Sequence, residues 1–130
     1  MTADNDDFYN RAKELGEIAA SAFGNRHRSQ MTNLENIANS TLKVSDVLDY
    51  IKKQVARSRA NESWRKDNLG KQLKDYIEED IRGHRQRICD MPEIQTDAAV
   101  AQHAYLSLIR EFIRQLVVHF EWTLVEGTSS

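Results

Sequence analysis

The sequence predicts an all-α protein: a compact bundle of about five helices with a long central C-terminal helix. Chain breakers are scarce, since the 130 residues include one proline, Pro92, and five glycines. No Asn-Gly or Asp-Gly pair is present to close a β-hairpin. Apolar residues recur at intervals of three and four, which is the spacing of one face of an α-helix. Strands therefore have little room in this chain.

Length and composition predict a single domain. With 40% hydrophobic and 29% charged residues, a chain of this size can cover one core, which we expect to comprise residues 1–126, followed by a disordered tail at 127–130. No apolar run is long enough to span a membrane, and the acidic N-terminal stretch is unlike a signal peptide. The single cysteine, Cys89, fits a reducing compartment. We therefore expect a cytoplasmic protein.

The first half of the chain divides into three amphipathic segments. The first helix is predicted from about Asp6 to Phe23, with Gly24 as its C-terminal stop. Ser29 is predicted to cap the second helix. The inward-facing positions of the three segments are Phe8, Ala12, Leu15, Ala19 and Ala22, then Met31, Leu34, Ile37 and Ala38, then Val44, Val47, Leu48, Ile51 and Val55.

The second and third segments are predicted to be separate helices. Asn39-Ser40-Thr41 lies between them, and these side chains compete for backbone hydrogen bonds. A break is therefore favoured over one long helix, with Ser45 or Asp46 capping the new start. The apolar pattern then lapses at residues 56–61, which predicts a loop before Trp64.

Two helices are predicted for the remainder. The first carries an apolar stripe to about Asp90, is weakened at Gly70 and Gly83, and is ended by Met91-Pro92. Thr96 or Asp97 is predicted to cap the last helix. Because that helix is apolar almost all round, we expect it to be the central one.

Charge is unevenly distributed although the net charge is only −2. Residues 52–74 hold eight basic residues against Glu62 and Asp67, which makes this segment about +6. Such a segment can present a basic face to a phosphate backbone, and Trp64 and Tyr76 lie among its cations, where they could stack on an unpaired base. The alternative is that the cations are solvated helix faces and that Trp64 packs in the core.

One pair of residues suggests catalysis. Arg114 and His119 lie five residues apart near the end of the last helix. This Arg-x4-His spacing resembles the motif of the higher-eukaryote-and-prokaryote nucleotide-binding family of helical endoribonucleases. The resemblance implies a dimer in which the pair acts on the RNA phosphate and its 2′-hydroxyl.

Metal and cofactor sites are not expected. The four histidines have no partner at metal-ligand spacing and the cysteine is alone. Phosphate-binding and dinucleotide-binding glycine motifs are absent from the sequence. The histidines are His27, His84, His103 and His119.

The order of the segments resembles a second family. Residues 28–34, Arg-Ser-Gln-Met-Thr-Asn-Leu, open a helix after a variable N-terminus. Residues 48–57 form a basic helix ending in arginine, and an aromatic-aliphatic helix, Phe112 to Trp122, closes the chain. In these features the chain resembles the small all-helical subunit of type III CRISPR RNA-guided effector complexes.

This resemblance implies a non-catalytic subunit that associates with other effector subunits and with copies of itself, and that holds the guide or target RNA backbone. By position, the RNA-binding residues that it implies are Arg28, Lys52, Lys53 and Arg57. The charge distribution adds Arg59 and Arg65. Three hypotheses stand: an RNA-binding subunit, a dimeric ribonuclease using Arg114 and His119, and a protein-protein adaptor.

Overall fold

Five α-helices and one short 3₁₀ segment make up the described part of the chain. The computed structural model describes the backbone of residues 2–82 and 98–129, and the side chains of residues 7–82 and 100–126. No strand occurs within these ranges, and the predicted all-α class is confirmed. The elements are α1 (Thr2–Phe23), α2 (Ser29–Ser40), α3 (Val44–Arg57), a 3₁₀ segment (Ser63–Asn68), α4 (Leu69–Asp75, continued by a π-type turn, Tyr76–Ile81) and α5 (Ala98–Ser129).

The end of α1 lies where the sequence predicts it. Gly24 has φ = +59°, and its N–H donates to the carbonyl oxygen of Ala20 at 3.0 Å. This left-handed conformation is strained for any residue with a Cβ, so glycine is the residue suited to it. The helix begins at Thr2, four residues before the predicted start at Asp6.

The predicted break after α2 is confirmed, but the predicted caps are wrong. Ser29 is the first residue of α2, and no side chain caps the helix, because the preceding residue, Arg28, already has helical dihedrals and its carbonyl accepts from the N–H of Met31. Lys43, not Ser45 or Asp46, precedes α3 as its N-cap. Asp46 instead accepts a hydrogen bond from the hydroxyl of Thr41.

The connection from α3 to α4 is irregular and includes several residues in the left-handed region. The helix extends to Arg57, two residues into the predicted loop. Four residues that are not glycine then have positive φ, which is uncommon outside turns. They are Asn61, Ser63, Asp67 and Asn68. The predicted end of the next helix at Asp90 and Met91-Pro92, and the predicted caps Thr96 and Asp97, lie outside the described residues.

The last helix is central, as predicted. It contacts α1, α2, α3 and the π-type turn. Phe112 is fully buried and packs edge-on against Phe8 of α1 and stacks on Tyr76, with ring centroids 5.2 and 4.6 Å apart. The helix runs to Ser129 and includes three of the four residues predicted to form a tail.

Candidate nucleic-acid interface

The basic residues of α3 lie in its second half and are exposed. The side chains of Lys52, Lys53 and Arg57 make no ion pair or hydrogen bond with the rest of the described chain. The acidic residues of the helix, Asp46 and Asp49, lie in its first half. This arrangement complements the helix dipole, whose negative end is at the C-terminus. Uncompensated positive charge is therefore concentrated at the C-terminal end of α3.

Lys52 and Lys53 lie on different flanks of α3, because consecutive residues are about 100° apart around a helix. Lys52 lies beside α4 at the edge of a slot of about 330 Å³ that also has Lys71 and Lys74 at its edge. Lys53 borders a larger cleft of about 680 Å³ where α2 turns into α3. The two lysines thus extend the basic surface in two directions instead of forming one cluster.

Arg59 and Arg65 extend the basic surface beyond α3. The side chain of Arg59 is exposed and has no partner among the described residues. Arg65 folds back, because its guanidinium donates to the carbonyl oxygen of Ser58 at 3.4 Å, directly after the last residue of α3. The fold therefore brings Arg57, Arg59 and Arg65 to the same end of the helix.

Arg28 belongs to a different neighbourhood. It lies in the turn between α1 and α2, and its guanidinium is 3.7 Å from the carboxylate of Glu121 on α5. Both side chains are about half exposed. Such a pair contributes little to stability. Another anion can therefore replace Glu121 as the partner of Arg28.

Trp64 and Tyr76 are not available to stack on a base. Trp64 is 1% exposed, and its indole N–H donates to the side-chain oxygen of Gln30 at 2.9 Å. Tyr76 is 3% exposed and stacks on Phe112. The prediction that these rings could serve RNA is wrong because both fill the core. For Trp64, the alternative of core packing is confirmed.

Arg114 and His119 do not converge. Positions five apart on a helix differ by about 140° in direction and by about 7.5 Å along its axis. Arg114 is exposed and donates two hydrogen bonds to Glu111, at 2.8 and 3.0 Å, and this interaction lowers the pKa of Glu111. His119 is half-buried where α5 approaches α1. Within one chain, the two side chains therefore have separate surroundings.

No metal site is found among the described residues. In residues 7–82 and 100–126, no group of three or more His, Cys, Asp or Glu side chains is arranged to hold a metal ion. His84 and Cys89 lie outside this part of the chain. Of the described histidines, His27 lies in the turn between α1 and α2, whereas His103 and His119 lie on α5, 16 positions apart.

An apolar surface that the sequence analysis did not single out lies on α5. Val118, Trp122 and Val125 are exposed at 47%, 59% and 57%, and they recur at intervals of four and three residues. That spacing places them on one face of the helix. Sequence periodicity could not distinguish this face from the core face, because the helix is apolar almost all round.

Within residues 2–82 and 98–129, every helix is too short or too polar to cross a membrane.

Comparison with known proteins adds no assignment. The chain matches no protein-family model, no curated protein and no solved structure.

Proposed function

We propose that this protein is a non-catalytic small subunit of an RNA-guided antiviral ribonucleoprotein of the CRISPR type, and that it holds the backbone of guide or target RNA. The observation that supports RNA binding is the exposure, without side-chain partners in the described chain, of four cations in and just beyond the second half of α3: Lys52, Lys53, Arg57 and Arg59. The membership of an RNA-guided complex rests on the resemblance in the order of segments. A cytoplasmic location is part of the proposal.

The expected mode of binding is electrostatic. Phosphate contacts position a strand without reading its sequence. Neutralising four phosphates releases counterions, so the logarithm of the affinity should fall with the logarithm of salt concentration with a slope of roughly −3 for a single strand. The four residues are Lys52, Lys53, Arg57 and Arg59.

The test is binding of purified protein to a fluorescent single-stranded RNA across a salt series, followed by a denaturing gel. Lys53→Glu should weaken binding and make the salt slope shallower. Lys13→Glu on α1 is the matched control, because it causes the same change in net charge at an exposed site away from α3. Equal effects of the two variants, or no binding at low salt, would reject the proposal. If the wild-type protein shortens the RNA and the Arg114→Ala and His119→Ala variants leave it at full length, the result would favour the ribonuclease hypothesis.

A protein-protein adaptor is the second candidate, and the exposed apolar face of α5 favours it. In a ribonucleoprotein this face would pack against another subunit or a second copy. Trp122→Glu should then prevent assembly without affecting RNA binding, whereas Lys53→Glu should do the reverse. An adaptor without an RNA-binding function predicts no RNA affinity at low salt and a complex that is lost only in Trp122→Glu.

A further inference from the structure

The slot between α3 and α4 combines an apolar floor with a basic edge. Ile51, Val55 and Ala56 of α3 and Gly70 of α4 form the floor, and three lysines surround it. Its volume of about 330 Å³ lies at the lower end of the roughly 300–1,000 Å³ of small-molecule sites. A ligand of about one nucleotide fits this space, whereas a folded peptide or a duplex does not.

Two small residues shape the slot. A Cβ added to Gly70 would overlap a methyl group of Val55 and lie 3.2 Å from the carbonyl oxygen of Trp64. Glycine therefore lets α4 pack closely against α3. Ala56 is the exposed outer end of the floor, and its small side chain leaves the floor uncovered.

The three lysines differ in how readily they can reach a ligand. Lys74 is held by Glu78 at 3.0 Å and also pairs with Asp75. Lys71 is largely exposed and lies 3.6 Å from Asp75, an arrangement that another anion can replace at little cost. The side chain of Lys52 has no partner in the described chain. Two exposed cations, one from each helix, therefore flank an apolar surface.

We infer that the slot receives one unpaired base of the bound RNA, while Lys52 and Lys71 contact the phosphates on either side. This inference rests on the proposed function and names its substrate class as unpaired RNA. A base in a duplex is stacked between its neighbours and cannot present its flat face to the slot. An unpaired base can, and it covers the aliphatic floor while its phosphates remain at the basic edge.

The experiment compares fluorescent oligouridine with an abasic oligomer of equal length, which keeps the ribose-phosphate chain but lacks bases. Wild-type protein should bind oligouridine about tenfold more tightly, equivalent to about 1.4 kcal/mol, which is what burial of roughly 55 Å² of apolar surface contributes. Ala56→Leu fills the slot from its outer edge and should remove this preference while leaving abasic binding unchanged. Ala60→Leu, an exposed alanine outside the slot, is the matched control and should behave as wild type.

Each result decides between the two proposals. Equal binding of both oligomers by the wild type overturns the slot inference and leaves the RNA-binding proposal standing. An unchanged preference in Ala56→Leu also overturns the inference. Absence of binding to either oligomer at low salt rejects the proposed function and the inference together. If Ala56→Leu unfolds, as circular dichroism would reveal, the wild-type comparison still decides the outcome.

Discussion

The guanidinium of Arg110, in the middle of α5, donates a hydrogen bond of 2.8 Å to the carbonyl oxygen of Ala38, near the end of α2. A second bond, also 2.8 Å, reaches the carbonyl oxygen of Thr41 beyond that end. The last carbonyl groups of a helix have no partner within the helix. Arg110 therefore closes α2 from outside and fixes the turn into α3, the helix that carries the candidate RNA-binding residues.

Arg110→Ala should lower the free energy of unfolding by about 1.5–3 kcal/mol, the range for hydrogen bonds to a charged group. Lysine should restore little of this loss, because an ammonium group lacks the planar fork that reaches two carbonyl groups. Urea denaturation followed by circular dichroism measures the change. Arg114→Ala is the control on the same helix, since its ion pair with Glu111 is exposed. A loss as large in Arg114→Ala would show that Arg110 has no special role.

The sequence reveals where α2 ends, but it does not reveal that Arg110 closes this end. The break at Asn39-Ser40-Thr41 is a local effect of side chains that compete with the helix for hydrogen bonds, so it was predictable. The part played by Arg110 was not, because it depends on how α5 packs across α2. The predicted caps at Ser29 and Ser45 were wrong for a local reason. Turn hydrogen bonds take their place: the N–H of Gln30 donates to the carbonyl oxygen of His27, and the N–H of Asp46 donates to that of Lys43.

The candidate site was predictable in part. The concentration of positive charge in residues 52–74 is visible in the sequence, and the exposure of Lys52, Lys53, Arg57 and Arg59 agrees with it. The slot was not predictable, because Ala56 and Gly70 are 14 positions apart and form one floor only after α3 and α4 pack together. The burial of Trp64 likewise depends on contacts with distant residues, Phe23 and Tyr50.

The fluorescence of Trp64 should be insensitive to RNA. Trp122→Phe removes the exposed tryptophan and leaves Trp64 as the only one in the chain. Because Trp64 is enclosed by the core, its emission should resist quenching by acrylamide and should not change when RNA is added at low salt. Quenching by RNA in this variant would contradict the burial of Trp64 and restore it as a stacking residue.

Tyr76→Phe should increase stability, most clearly in alkaline solution. The Tyr76 hydroxyl is buried without a hydrogen-bond partner among the described residues. Burial raises its pKa above the ordinary value of 10.0, and the nearby charges of Asp7 and Asp80 raise it further, although Asp7 does not reach hydrogen-bond geometry. The unfolded chain therefore releases this proton at lower pH than the folded chain. The stability tied to the protonated form is complete below pH 10 and declines as the pH rises above it.

Denaturation of wild type and Tyr76→Phe at pH 8 and pH 11 checks this prediction. At pH 8 the variant should be equal to the wild type or about 1 kcal/mol more stable, because an unpaired buried hydroxyl is removed. At pH 11 its advantage should be larger. Tyr9→Phe, at an exposed ring, is the control and should show no such widening. A variant that is less stable than wild type at pH 8 would mean that the hydroxyl does have a partner.

Gly16→Ala should destabilise the protein even though alanine favours helices by about 1 kcal/mol over glycine. A Cβ on Gly16 would lie 2.6 Å from the carbonyl oxygen of Leu116 and 2.9 Å from the Cβ of His119. These are backbone and near-backbone atoms, so relief requires α1 and α5 to move apart, and overpacking of this kind costs about 1–3 kcal/mol. Ser21→Ala, at an exposed position of the same helix, should be neutral or stabilising in the same urea experiment. If Gly16→Ala is also stabilising, α1 and α5 do not approach closely at Gly16. His119 would then be less covered by α1 and more accessible to RNA.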